Sequence, residues 1–444
     1  MWPILLIALV GEPDTSVPEP TTPLSARDLA ALAADTSPSV RAALARADGR
    51  AVATREIDQR FWPRVTASAR YTRMSYNEPT VIAPPGVPLA VEIPGALEDQ
   101  VAIGIGVALP LSDWLLRWDE AQAAGREAEA AERALAEAAR NQSAAEALAL
   151  WYQWQRARLG VEVGRAAVAD AEAHLAAALV LQRAEVAAAG DVRLAEARLA
   201  EARLGLERAR HGQALAERSL STVTHQALDP ARLPVTTEAI WPAPDEPRAA
   251  LIERALGARP EALALAHGEA ALQRRSDLAA IDRLPRLDLV ANAQVANPSP
   301  RGLQNEDEFV GLWDASAVLS WRLDGLWEAE TAADRIAAER RGLAADREAL
   351  ADGIAFEIDL ALRSIADADA AARASAAMLV AAEEAHRVRT KAYAAGRASS
   401  LDLSEAERQL TQARLAGVDA TIDRRLGELR LAHALGVRVD LAPR

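Results

Sequence analysis

Two stretches of this chain contain no proline over lengths that only helices use. From about Trp114 to Ala188 and from about Leu326 to Ala395 the sequence is a run of Ala, Glu, Arg and Leu broken only by scattered Gly. At a rise of 1.5 Å per residue each would span on the order of 100 Å as a helix. No single globular domain is that wide, so the chain must be elongated. Composition agrees: half of the 444 residues count as hydrophobic, chiefly through alanine, and only 4% are aromatic. Alanine favours helix and lets helices approach closely but buries little area, so stability has to come from long contacts or from partners.

Each long run then turns back on itself. In Tyr393–Leu415, YAAGRASSLDLSEAERQLTQARL, the pattern predicts a helix ending near Ala395, a reversal at Gly396, whose missing Cβ permits a left-handed backbone, and a second helix restarting at Ser399 or Ser400. Ser399 followed three residues later by Asp402 is a capping signature that sets a carboxylate in the first turn, where the helix dipole favours it. Asp402 and Glu405, three apart, share a face; the ordinary role of such a pair is a solvated acidic helix start. In the first half Gly190 is assigned the same reversal. Its tip, AAGDVRLAEARLAEARL, reads about five residues shorter when Asp191 is matched with Asp402. On the last returning helix Leu415, Val418, Ile422, Leu426 and Leu429 mark one apolar stripe.

The correspondence between halves extends further. Pro38 and Pro63 bracket one Ala/Leu-rich helical segment, and Pro260 and Pro285 bracket another, at the same 25-residue interval. Each begins with Pro at a helix start and ends where a second Pro stops the helix. Alternation follows each second Pro. Val65, Ala67, Ala69 and Tyr71 oppose Arg64, Thr66, Ser68 and Arg70; Leu287, Leu289, Ala291, Ala293 and Val295 oppose Asp288, Asn292 and Gln294. After a Pro/Gly/Asn-rich loop a second alternating run returns in each half: Val101 to Leu109, and Phe309 to Leu319. The four predicted strands lie at about 64–74, 100–110, 286–296 and 308–321, and the apolar residues named on them are uninterrupted by charge.

Strands of roughly ten residues with one wholly apolar face suit a transmembrane β-barrel, and equally one buried face of a soluble antiparallel sheet. Trp62, Trp114, Trp118, Trp321 and Trp327 stand at the strand ends, where a membrane-interface aromatic girdle would lie. Four strands cannot close a membrane barrel, for which about eight is the minimum. The membrane reading therefore requires oligomerisation, two copies giving eight strands and three giving twelve.

Other features exclude more than they assign. A net charge of −14 argues against nucleic acid and anionic surfaces, and the absence of cysteine removes thiolate metal sites, thiol catalysis and disulfides. The six histidines show no metal-ligand spacing, no Ser/His/Asp arrangement can be placed in one site, and GIGVAL at Gly104 is a lone G-x-G within a strand, so no enzyme and no cofactor are expected. No stretch is long and apolar enough for a transmembrane helix. Residues 1–23 join an apolar run, Trp2–Val10, to a Pro-rich segment and are assigned to a possible signal peptide without a basic n-region. The rest divides into a first repeat at 24–228, an inter-repeat linker at 229–257, a second repeat at 258–437 and a tail at 438–444.

With those residues in place, the chain resembles the TolC family of bacterial outer-membrane efflux proteins from about Leu24 to Val437. The most specific match is Tyr393, Gly396, Ser399, Leu401, Asp402, Leu403 and Ala406. The resemblance implies a mostly α fold with a small β part, in which a homotrimer builds a twelve-stranded barrel in the outer membrane, in contact with outer-membrane lipid, continued by a coiled-coil tube through the periplasm. It implies a periplasmic adaptor protein and an inner-membrane transporter as partners in a tripartite pump, with the hairpin tips docking the adaptor through Gly190, Gly396, Arg397, Ser399 and Leu401. It also implies a narrow periplasmic gate at Asp402 and Glu405, with Asp191 on the first tip, although Glu405 replaces an Asp of the family pattern. Three copies of these carboxylates around one axis would repel, favouring bound cations or protonation, in a passive conduit opened by splaying hairpins. The competing expectation is a periplasmic coiled-coil scaffold or adaptor. It accounts for the helices but not for paired alternating strands at the same place in both repeats.

Overall fold

The computed structural model describes residues 24–76, 78–82, 91–93, 95–229, 233–235, 241, 243–301 and 306–439. The expected signal segment at 1–23 and most of the expected tail lie outside the described residues.

The two halves build the same series of elements. The first runs α1 (Ala26–Thr36), α2 (Pro38–Arg60), β1 (Arg64–Arg73), a small ladder of β2 (Thr80–Ile82) and β3 (Val91–Ile93), β4 (Asp99–Leu109), α3 (Leu111–Leu116), α4 (Trp118–Arg183) and α5 (Ala189–Val223). The second runs α6 (Arg248–Ala258), α7 (Pro260–Ile281), β5 (Arg286–Asn297), β6 (Val310–Ser320), α8 (Gly325–Ala394) and α9 (Ser400–Ala434). Pro38 and Pro260 each occupy the first turn of their helix, where the missing N–H has no intrahelical partner to lose. The 66-residue α4 and 70-residue α8 return through α5 and α9, each 35 residues long.

Three expectations change. Within the segment expected as a Pro/Gly/Asn-rich loop between the first two long strands, β2 and β3 pair antiparallel. The helix expected from Trp114 starts later, because α3 ends at Leu116 and α4 begins afresh at Trp118, with Arg117 between them. Arg117, only 8% exposed, explains the break: its guanidinium is held by Asp113 at 2.5 Å, Asp282 at 3.1 Å and the Ile281 carbonyl at 3.4 Å, fastening the junction to the end of α7. Finally, α6 falls inside the expected linker 229–257. It matches α1, also 11 residues, so the second repeat begins at about 248 rather than 258.

Strands β1, β4, β5 and β6 form one antiparallel sheet in the order β1-β4-β5-β6. The register sets Val65 opposite Val107, Ile105 opposite Ala293, and Ala293 opposite Trp313, so the apolar sets of all four strands share one face. That face is uncovered: Trp313 is 75% exposed and Ile103 58%. Thr66, Gly104, Gly106, Asn292 and Asp314 occupy the other face, where Asn292 donates to Asp314 Oδ2 at 2.9 Å. A Cβ on Gly106 would come within 2.9 Å of Asn292 Oδ1, so glycine there makes room for polar side chains to lie across β4.

The helices pack below the sheet. The largest core gathers Leu29, Ala30, Leu148, Trp151, Tyr152, Trp154, Leu220, Ile422 and Leu426, joining α1, α4, α5 and α9 midway along the long helices. A second core, with Leu251, Ile354, Ile358 and Leu431, joins α6, α8 and α9. Smaller clusters along the hairpins mix alanine with a few larger side chains, as in Ala171 and Ala202 with Leu199. Among the described residues no helix is long and apolar enough to cross a membrane.

Candidate functional site: the hairpin tips and the open sheet

At the second tip α8 is closed by a left-handed residue, Gly396 at φ 68°. The Arg397 N–H donates to the Ala392 carbonyl at 2.8 Å and the Gly396 N–H to that of Tyr393 at 2.9 Å, satisfying carbonyls that a helix end leaves open. Then α9 begins with the expected capping box. Ser399 Oγ accepts from the Asp402 N–H at 3.2 Å, while Asp402 Oδ2 accepts from the Ser399 N–H at 3.1 Å and from its hydroxyl at 2.7 Å. Ser399, not Ser400, is the N-cap.

The first tip repeats this geometry at positions the sequence disguised. Asp191 is the third residue of α5, and its Oδ2 accepts from the Ala188 N–H at 3.1 Å, so it corresponds to Asp402. Six residues before each Asp lies the left-handed residue: Gly396 in the second tip and Glu185, at φ 59°, in the first. Gly190 does not make the reversal. It sits inside the first turn of α5, with nothing within 4 Å of where its Cβ would be. Both connections span five residues, 184–188 and 395–399, so the first tip is not the shorter one. The tips also touch, since a Cβ on Gly396 would lie 3.1 Å from Val186 Cγ1.

The expected gate carboxylates have partners within one chain. Hydrogen bonds from the Ser399 side chain and backbone, and then Arg389 at 3.8 Å, hold the Asp402 carboxyl below the usual carboxylate range. Glu405 pairs with Arg408 and accepts from Gln409 at 2.8 Å. The cap thus favours the ionised form of Asp402, so within one chain its negative charge is answered by local donors rather than by protonation. Arg397 and Ser399 are exposed, and Leu401 is 66% exposed beside them, an apolar side chain without cover.

Behind the exposed tip lies a buried polar node that sequence reasoning missed. His174 of α4 and Glu407 of α9 have almost no accessible surface; His174 Nδ1 lies 3.2 Å from Glu407 Oε1. Arg198 of α5 sets its Nε 3.4 Å from Glu407 Oε2 and its Nη1 2.9 Å from Glu201. His174 Nε2 lies 3.0 Å from Ser400 Oγ, Ser400 Oγ is 3.1 Å from the Asp191 carbonyl, and the Tyr393 ring meets the imidazole edge-on at 5.0 Å. One signal could have found it. Each charged group interrupts the small or apolar buried stripe of its helix: His174 between Ala171 and Ala178, Arg198 between Ala195 and Ala202, Glu407 between Leu403 and Leu410.

At the opposite end of the molecule, Trp62, Trp114, Trp321 and Trp327 are half or more exposed, all at the helix-facing end of the sheet. Trp118 is only half-buried among helices and donates from Nε1 to Asp58 at 3.3 Å. Tyr71, Tyr76 and Phe309 are exposed at the far end of the sheet, a second aromatic level.

This arrangement, a sheet bare on its apolar face carried on two long helical hairpins, is the fold of outer-membrane channels. The MtrE outer-membrane channel of Neisseria gonorrhoeae, in its open state, superposes with a TM-score of 0.74 at 17% identity over 94% of this chain and 90% of that one. VceC of Vibrio cholerae gives 0.72 at 19% over 93% and 96%, and the outer-membrane channel OprN gives 0.73 at 20% over 94% and 91%. No curated protein sequence matches the chain. Residues 251–437, essentially the whole second repeat, match the outer membrane efflux protein family.

Proposed function

We propose that the chain is one protomer of a homotrimeric outer-membrane channel, a passive conduit that receives substrates from an inner-membrane transporter through a periplasmic adaptor. One observation carries the reading: the four-stranded sheet leaves its apolar face, charged only at the far end by the Arg73–Asp99 pair, and both of its edge strands, β1 and β6, uncovered. An exposed sheet edge is a template for pairing, and in lipid every backbone polar group must find a partner. Pairing β6 of one copy with β1 of the next removes all edges, and three copies give a closed barrel of twelve strands. The exposed Trp residues at one end and Tyr71, Tyr76 and Phe309 at the other then lie at the two lipid–water boundaries.

The tube ends at the tips. Arg397, Ser399 and Leu401 face outward there, a mixed polar and apolar surface for an adaptor, and Asp402 and Glu405 ring the narrow end, with Asp191 behind them. The fold's match to channels and the family match of the second repeat both support this reading. The test is cell fractionation followed by the mass of the detergent-extracted particle, corrected for bound detergent. Recovery in the outer membrane with three chains per particle is the expected result. Release from membranes by high salt or carbonate, as a soluble monomer or dimer, would overturn it and favour a coiled-coil scaffold.

A further inference from the structure

Which backbone groups lie bare on the two sheet edges follows from one hydrogen bond. The Met74 N–H donates to the Glu98 carbonyl at 2.7 Å, one step beyond the Arg73–Asp99 pair that ends the β1–β4 register. In an antiparallel ladder each residue turns its N–H and C=O to the same side, and successive residues alternate. Even-numbered residues of β1 therefore bond to β4, and Val65, Ala67, Ala69, Tyr71 and Arg73 turn theirs to the open edge. Carried through the other two registers, the same alternation leaves Gly311, Trp313, Ala315, Ala317 and Leu319 on the open edge of β6. Arg301 Nη1 donates to one of these edge groups, the Trp313 carbonyl, at 3.1 Å, and the second lone pair of that oxygen stays available.

Both edges thus present the same number of bare residues at the same spacing. Only one antiparallel register matches them all: Val65 with Leu319, Ala67 with Ala317, Ala69 with Ala315, Tyr71 with Trp313 and Arg73 with Gly311. A slip by two residues in either direction strands one residue on each edge, with backbone groups unpaired in lipid. The intervening residues lie on the polar face, and there the full register sets Arg70 of one copy directly opposite Asp314 of the next. Arg70 is exposed and makes no ion pair among the described residues, while Asp314 accepts from Asn292 at 2.9 Å and Arg301 at 3.4 Å. Opposite charges placed directly across two strands attract, whereas a slip would set Arg70 against Ser316 or Leu312.

We infer that the copies join at this register, Val65–Arg73 of β1 lying against Gly311–Leu319 of the next copy's β6, with an Arg70–Asp314 pair closing each seam inside the barrel. The inference rests on the trimeric barrel proposed above and fixes how its subunits recognise one another. Closure agrees with it. From Arg64 the registers lead across the sheet to Ala108, Val290 and Ser316, and the seam takes Ser316 to Ser68 of the next copy, four residues further along β1. Four residues over four strands is an advance of one residue per strand. With about 3.3 Å per residue and about 4.7 Å between strands, this tilts the strands by about 35°, as closed membrane barrels require. On the lipid side Tyr71 and Trp313, now 63% and 75% exposed, would cover each other.

The chain has no cysteine, so engineered pairs report the register directly. Ser68 and Ser316 would be a non-hydrogen-bonded pair with Cα atoms about 4.5 Å apart, within reach of a disulfide. Ser68 with Val318, and Thr66 with Ser316, would be diagonal at about 7–8 Å, beyond it. Within one copy Ser68 and Ser316 stand three strand spacings apart, about 14 Å, so any link joins two copies. In oxidised outer-membrane preparations of the full chain, Ser68→Cys with Ser316→Cys should give linked dimers and trimers on non-reducing gels, at least tenfold above either diagonal pair. Linkage that favours a diagonal pair overturns the register and leaves the barrel standing. So does a detergent-extracted trimer with no linkage in any of the three. A chain recovered only as a soluble monomer removes the barrel and the register together. Charge gives a second readout: Arg70→Asn and Asp314→Asn should each lower the temperature at which the extracted trimer dissociates, and the double variant should fall no further than the worse single one. Fully additive losses overturn the Arg70–Asp314 pair.

Discussion

Gly396 and Gly190 look interchangeable in the sequence, and the structure gives substitutions at the two positions opposite signs. At Gly396 an alanine must adopt φ 68°, which costs an L-residue about 1–2 kcal/mol. Its Cβ must also come 3.1 Å from Val186 Cγ1, tighter than ordinary contact, so Val186 on the other tip has to yield by a few tenths of an ångström. Together these predict a loss of about 2 kcal/mol for Gly396→Ala, felt at the tips. At Gly190 nothing lies within 4 Å of the new Cβ and the backbone is helical, so Gly190→Ala should gain about 0.4–1 kcal/mol. Native-state hydrogen exchange across 181–195 and 392–406 measures both. Adding Val186→Ala to Gly396→Ala in a double-mutant cycle should restore the steric part alone and leave the left-handed cost. Equal effects of the two single substitutions, or full rescue by Val186→Ala, would refute the assignment of the reversals to Glu185 and Gly396.

Three further outcomes follow from the same geometry. The Asp402 carboxyl titrates below its unfolded value, so its capping contribution is present above the ordinary carboxylate range and is lost as pH falls through the lowered folded value; exchange at 399–403 should rise in that acid window in the wild type, and Asp402→Asn should flatten the response. Ile105→Arg puts a charge on the bare face of the sheet and should cost about 2–4 kcal/mol in a membrane, whereas Ser68→Arg on the opposite face should be tolerated, as read by the yield of heat-modifiable oligomer on gels. Trp151→Ala empties the fully buried centre of the main core and should cost about 3–5 kcal/mol, measured by thermal unfolding followed in the far ultraviolet.

What the sequence made legible was what repeats or alternates. Strands β1, β4, β5 and β6 follow from period-two alternation after Pro63, after Pro285 and on each return. The long helices follow from the absence of proline, and the α9 cap from Ser399 and Asp402. What stayed hidden needed three dimensions or broke a local rule. Glu185 takes a conformation that glycine normally serves, and nearby Gly190 drew the turn to itself. The β2–β3 ladder pairs two three-residue strands across a Pro-rich loop, too short to leave a periodic signal. The α6 helix was absorbed into a linker although it copies α1. The node of His174, Arg198 and Glu407 joins residues up to 233 positions apart, and only their place on buried stripes marks them.

The two open edges of the sheet have a genetic consequence. In the three-seam ring proposed above, each protomer lends one edge to each neighbour, so a subunit whose β1 cannot pair would spoil the assembly it enters and not merely fail to contribute. A proline within β1, which breaks a strand's ladder, would make such a subunit. When defective and intact chains are made in equal amounts and mix at random, only about one ring in eight contains no defective subunit. Mutations at this seam should therefore behave as dominant, poisoning the intact copy, while lesions that keep a protomer from reaching the membrane should behave as recessive.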